Sequence, residues 1–250
     1  MQGAARALGD RLGSWYKWAA AGACVGGIPV LAAEFLGWYP ALGITALLLA
    51  PLLMAAAAGD RLDRGAVLLA AAFAGHSAVV LFFTARSPDA VAGLFPEGEA
   101  YWRQTRQWIL TGENPEYESA YWLPVHLLLF LSVALLAYPS FGFLTLYVGL
   151  AQVDLMNVYV GHLLVSAPNP WLALMPGWHP WSILRGLGYL LVTFEVASLS
   201  LERLAAVPLS TPERRWGRWR LAFFFLAADV ATKYCCLEPC RRVLLEQVAP

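Results

Sequence analysis

Charge is the first thing this chain lacks. Only 14% of its 250 residues are Asp, Glu, Lys or Arg, against about 25% in an ordinary soluble domain. That is too little charge to clothe a water-exposed surface. An excess of either sign is missing too: 17 basic and 17 acidic residues cancel, so no bulk field draws the chain toward nucleic acid. Cysteine is scarce. Cys24 reads as a small packing residue, and Cys235, Cys236 and Cys240 form neither C-x-x-C nor a zinc pattern. If translocated, two of those three can pair; in the cytosol they are juxtamembrane thiols open to lipidation. No G-x-x-x-x-G-K-[ST] loop, H-E-x-x-H pair or G-x-S-x-G elbow occurs, which removes nucleotide-driven and the commonest hydrolytic chemistries. There is no N-x-[ST] acceptor either.

What the chain has is apolar length. Hydrophobic residues make up 59% and the mean hydropathy is +0.57. They fall in blocks rather than stripes, as membrane spans do. Seven blocks can be drawn, at roughly 19–37, 41–58, 66–84, 121–138, 141–165, 185–204 and 219–238. The first is bracketed by Trp15, Tyr16 and Trp18 and by Trp38 and Tyr39, the amphipathic rings of a headgroup-anchored helix. It is too long for a signal-peptide core and lacks a small-residue cleavage site, so it is expected to stay. Tyr138-Pro139 is expected to make the connection between the fourth and fifth blocks. Asp229 and Lys233 interrupt the seventh. The expected fold is a single all-α domain over 1–250, a polytopic bundle of six or seven transmembrane helices.

Lys and Arg set the orientation. With the N-terminus inside, Arg6, Arg11, Lys17, Arg61, Arg64, Arg203, Arg214, Arg215, Arg218 and Arg220 are all cytoplasmic, five of them in or beside a basic inner loop at 205–218. The long 85–120 connection carries six acidic residues, Asp89, Glu97, Glu99, Glu113, Glu116 and Glu118, and reads as translocated. Within it, Glu99 to Leu110 reads as an amphipathic helix ended by Thr111-Gly112, lying flat at the interface or forming a lid. Ser166 to Trp181, rich in Pro and Trp, reads as a re-entrant or interfacial cap. The composition suggests a bacterial inner membrane, with the bilayer and other membrane subunits as partners and no nucleic acid.

Ionisable residues near the middle of spans carry the functional information. These are His76, Asp154 with Asn157 on the same face, Glu195, and Asp229 with Lys233. An unpaired charge at that depth costs at least about 2.5–3.5 kcal/mol, so these groups should turn inward and meet one another or line water. Asp229 and Lys233, four residues apart, have the spacing of an intrahelical pair. Three functions follow. One is a small proton- or ion-coupled permease or channel-like subunit with a path through His76, Asp154, Asn157, Glu195, Asp229 and Lys233. Another is an enzyme acting on a lipid-linked substrate at the outer leaflet through His126, His179 and Arg185, the last suited to phosphate. The third is a non-catalytic anchor whose polar groups are interhelical glue.

Haem or metal ligation by the four histidines finds no supporting spacing, and no cofactor follows. Asp229-Val-Ala-Thr-Lys233 resembles the last helix of retinal-binding microbial rhodopsins. The 66–84 block lacks their acidic counter-ion and tryptophan pattern and the orientation is reversed, so that family is not assigned.

Overall fold

The computed structural model describes residues 2–113 and 118–248, and all regular structure among them is helical. The remainder of the 85–120 connection, 114–117, lies outside the described residues. The chain runs α1 (Gln2–Leu12), α2 (Trp15–Leu31), α3 (Ala33–Leu36), α4 (Trp38–Ala58), α5 (Leu62–Arg86), α6 (Pro88–Leu94), α7 (Pro96–Thr111), α8 (Ser119–Ser140), α9 (Phe143–Ser166), α10 (Pro170–Gly177), α11 (Pro180–Ala205) and α12 (Pro212–Val248). Five of these, α4, α5, α8, α9 and α11, are long and apolar enough to cross a membrane. The chain is a helical membrane bundle.

Local chemistry sets the boundaries. Helices α6, α7, α10 and α11 open on proline, whose fixed φ suits the first turn and whose missing N–H is not needed there. Asn169 caps α10 by accepting from the Leu172 N–H. Helix α7 stops at Gly112, which takes the left-handed φ of 81° that L side chains resist. Helix α8 runs through Tyr138 and Pro139 to Ser140, and the reversal into α9 falls instead on Phe141 and Gly142, at φ 53° and 88°. Pro139 does not break the helix. It is at the end, where few backbone bonds remain to be lost.

Helix α9 is central. Its flanks meet α5 and α4 on one side and α7 and α10 on the other. The main core gathers Trp18, Leu42, Leu49, Leu53, Leu68, Leu69, Leu150 and Phe194 between α2, α4, α5, α9 and α11. A second cluster, with Trp108, Ile109, Tyr159, Leu163 and Leu244, joins α7 and the end of α12 to the last turns of α9. Helix α7 buries Gly98, Trp102, Thr105, Trp108 and Ile109, a helical stripe that faces the protein. Together α6, α7 and α10 cover one end of the bundle, the cap end. The α4–α5 and α11–α12 turns lie at the other, basic end. Helix α8 stands at the flank with Leu127, Leu128, Leu131 and Leu135 exposed.

The tightest seam lies between α2 and α5. A Cβ at Gly22 or Gly26 would run into the carbonyls of Leu68 and Ala72, and one at Gly75 would lie 2.6 Å from the Ala23 carbonyl. Gly22-x-x-x-Gly26 is the small-residue spacing that lets membrane helices touch backbone to backbone.

Candidate functional site

Four helices meet around one carboxylate and its histidine partner. Asp154 and His76 stand near the middles of α9 and α5, both fully buried. Asp154 Oδ1 lies 2.7 Å from His76 Nε2, and Oδ2 accepts from the Trp38 indole N–H at 2.9 Å. Asn157, one turn along α9, donates to Oδ1 at 3.3 Å. The other imidazole nitrogen, Nδ1, lies 3.2 Å from the Gly26 carbonyl of α2. A carbonyl only accepts, so Nδ1 carries a proton toward it. A second proton must then sit between Nε2 and Oδ1, because two lone pairs do not meet at 2.7 Å. The pair is therefore neutral overall, either imidazolium with carboxylate or imidazole with carboxylic acid. That neutrality is how a titratable pair tolerates burial among apolar helices. Asn157 Oδ1 is buried with no hydrogen-bond partner among the described residues.

Glu195 belongs to a separate group at the basic end. It accepts from Arg215 Nε at 2.6 Å and from Arg218 Nε, both on the first turns of α12. Arg218 also reaches Asp60 in the α4–α5 turn at 2.8 Å, and Arg214 binds the same carboxylate at 2.7 Å. Arg215 continues to Glu202, which accepts the backbone N–H groups of Leu209 and Ser210 and so shapes the α11–α12 turn. Three acids meet three arginines. Side-chain exposure falls along this ladder from 67% at Arg214 to 13% at Asp60, 6% at Arg218 and 1% at Glu195, so it carries charge pairing from the surface inward. Asp60 holds a left-handed φ of 51°, a conformation aspartate tolerates better than most residues.

Burial alone would raise the Asp60 carboxyl, but hydrogen bonds from Arg214, Arg218 and Ser210 outweigh it and hold the group below its ordinary value of 3.8. A carboxylate lowered on folding adds stability that is complete above its unfolded value and lost as pH falls through the folded one. Melting in detergent is therefore expected to be insensitive to this group above pH 3.8 and to weaken below it. In Asp60→Asn that acid-side decline should shrink. An unchanged decline would remove Asp60 from the account.

A third group gathers near the cap end. Arg185 of α11 forks onto Asp229 of α12 at 3.0 and 3.2 Å, the bidentate geometry guanidinium favours. Lys233 Nζ sits 4.3 Å from the centre of the Trp122 ring. His126 Nδ1 donates to the Trp122 carbonyl at 2.7 Å, and the Tyr189 hydroxyl donates to the His126 carbonyl. Arg185 and Lys233 are electrostatic neighbours of both His126 and His179. His179 stacks on Trp181 at 4.7 Å. Its burial, and then the charges of Lys233 and Arg185, push it down to about 3, so it stays neutral in the physiological range.

The candidate residues thus fall into three groups. His76, Asp154 and Asn157 meet; Glu195 sits with the arginines of α12; Asp229, Lys233, Arg185, His126 and His179 share the third. Sequence reasoning missed Trp38, read only as an interfacial ring, and Gly26, which the Gly22-x-x-x-Gly26 spacing signals. It also missed Arg215 and Arg218 as partners of Glu195, and Asp60 as the second acid on Arg218, because it set those arginines in a loop rather than on the first turns of a helix. Among the described residues no three His, Cys, Asp or Glu side chains are grouped to hold a metal. No protein-family model, curated protein or solved structure matches the chain.

Proposed function

We propose that the chain is a small proton- or ion-coupled permease or channel-like subunit whose exchange site is the His76–Asp154 pair. The observation that carries this reading is the proton the geometry requires between Nε2 and Oδ1. It is held at the junction of α2, α4, α5 and α9, and a histidine is the side chain best suited to give and take it near neutral pH. Asp154 is the common hydrogen-bond partner of His76, Trp38 and Asn157. A further proton on the pair, leaving imidazolium beside a neutral carboxyl, weakens the charge-assisted contacts of Asp154, and the helices that carry them lose their shared anchor. Gain or loss of one proton then changes which packing is preferred.

The topology within this proposal has α2 as a sixth span and α12 as a seventh, with the N-terminus in the cytoplasm of a bacterial inner membrane. Helix α2 has 17 residues, about 25 Å at 1.5 Å per residue, at the short end for a span. Helix α12 carries Asp229 and Lys233 at its middle, and Arg185 offsets the Asp229 charge. This arrangement sets the arginine ladder on the positive-inside face. Helix α7 then lies at the outer boundary, where its exposed edge meets the headgroups.

The test is proton flux in proteoliposomes driven by an imposed pH gradient and read with an internal pH dye. Asp154→Asn and His76→Gln are each expected to lower the rate at least about a hundredfold, as loss of an essential proton-transfer group does. Monodisperse folded protein should remain. Wild-type rates in both variants would reject the exchange site. Absence of flux from the wild type as well would leave the third reading, an assembly subunit with polar residues as glue.

A second reading is supported by the gathering of His126, His179 and Arg185 around the Arg185–Asp229 fork. There Arg185 would hold the phosphate of a lipid-linked substrate, and His126, whose Nε2 has no hydrogen-bond partner among the described residues, would serve as the base. Arg185→Lys separates the two readings: it should abolish turnover of such a lipid while leaving proton flux in place.

A further inference from the structure

We propose that Phe95, at the joint between α6 and α7, is the outer seal over the Asp154 site and that α7 is the lid that carries it. The inference deepens the exchange reading, and its consequence for flux rests on that reading.

The Trp38 ring has two jobs. Its N–H edge reaches Asp154, and its face is covered by Phe95 at 5.4 Å between centroids and 9° between planes. Tyr39 closes the edge of the Phe95 ring at 5.9 Å. Phe95 is only 2% exposed, although it belongs to a short joint between two surface helices. On its far side lies Gly98. A Cβ there would stand 2.6 Å from Phe95 Cδ1 and 3.1 Å from Val158 Cγ2. Val158 follows Asp154 by one turn of α9 and is fully buried. Phe95 is thus wedged between the indole that binds the carboxylate and the next turn of the helix that bears it. Any water arriving at Asp154 from the cap end past Trp38 must displace this ring.

The wedge is held by α7. One residue after Gly98, Glu99 Oε2 approaches His162 Nε2 of α9 to 3.0 Å. His162 lies flat on Trp102 at 5.2 Å and 2°. The Tyr101 hydroxyl points to Met156 Sδ at 3.3 Å. These ties all fall within two turns of Phe95 and all end on α9. Releasing them frees the Phe95 end of α7 and takes the ring from Trp38, while the far end stays tied to α12 through Arg241. Lid and site are adjacent in space but far apart in sequence, which is why the aromatic at position 95 carries no mark of its role in the linear chain.

The seal is tested through access rather than transport. Protein in detergent is treated with a water-soluble carbodiimide and an amine, and the modification of Asp154 is timed by mass spectrometry of its peptide. Wild type is expected to react slowly, and Phe95→Ala faster by several-fold up to about tenfold, the change expected from losing one buried aromatic stacking partner. Phe95→Tyr keeps the ring and should stay within about twofold of wild type. Gly98→Ala displaces the ring without deleting it and should also accelerate modification; it decides the matter alone if Phe95→Ala does not fold. Equal rates in wild type and in a folded Phe95→Ala or Gly98→Ala overturn the seal. Proton flux separates the two proposals. Faster modification in a chain that never carries protons keeps the seal and rejects the permease. Flux in the wild type with unaltered access in both variants rejects the seal alone.

Discussion

Glu195→Ala is expected to destabilise the folded chain by about 3 kcal/mol, the cost of leaving a buried charge without its partner. The carboxylate is 1% exposed and bound by Arg215 and Arg218, the latter itself 6% exposed. Without it three arginines face two acids inside the ladder. Arg218 keeps Asp60 and Arg215 keeps Glu202, so the first turns of α12 remain attached but carry an unbalanced positive charge. Thermal melting followed by far-ultraviolet circular dichroism in detergent measures the effect. The paired change Glu195→Leu with Arg218→Met should recover most of the loss, because removing both charges also removes their desolvation. If Glu195→Ala melts with wild type, water reaches the inner end of the ladder and its burial has no energetic weight.

Gly26→Val is expected to be at least as damaging, by about 3 kcal/mol or through failure to yield monodisperse protein. Any Cβ at this position runs into the Ala72 carbonyl. The obstacle is backbone, so no rotamer change relieves it, and α2 must move away from α5. That movement also carries the Gly26 carbonyl from His76 Nδ1, so the imidazole loses the contact that fixes its proton. Folded material, where it is obtained, should have lost proton flux as well as stability. Gly43→Ala is the matching control. Nothing lies within 4 Å of a Cβ there, and its effect should stay within about 1 kcal/mol, set by helix propensity alone. Equal behaviour of the two variants would show that glycine matters here for propensity and not for contact.

Five spans are legible in the sequence because each is a continuous apolar run closed by Gly, Pro or charge, and hydropathy alone finds such runs. The blocks at 41–58 and 66–84 fall inside α4 and α5. The first block extends too far along the chain: Pro29 is in the last turn of α2, and the backbone turns at Ala32, which apolar content cannot reveal. The seventh lies inside a helix of 37 residues, because Arg214, Arg215 and Arg218 read as loop by hydropathy while serving as ordinary helix formers. For the site, burial cost marks out the mid-block ionisable residues, and two helical residues three apart share a face whatever the tertiary fold. Hence Asp154 and Asn157 can be joined from spacing. The partner of each charge cannot, since it depends on which helices become neighbours. Asp229 takes its fork from Arg185, 44 residues away, and Glu195 is met from the far side of a turn.

At about 55 Å, α12 is a strut longer than the hydrocarbon layer is thick. Near its start Arg218 grips the α4–α5 turn; near its finish Arg241 holds the Ile109 carbonyl of the lid helix and Gln247 accepts from the Asn169 N–H. One rod is therefore bolted to both ends of the bundle. The lid cannot rise while Arg241 stays fastened unless the rod tilts or bends, and a tilt is felt at the opposite end. Pro239 is the single proline in its interior, two residues before Arg241. The lost backbone bond there gives the rod a flexure point, placing its one weak link directly beside the bolt that fastens the lid.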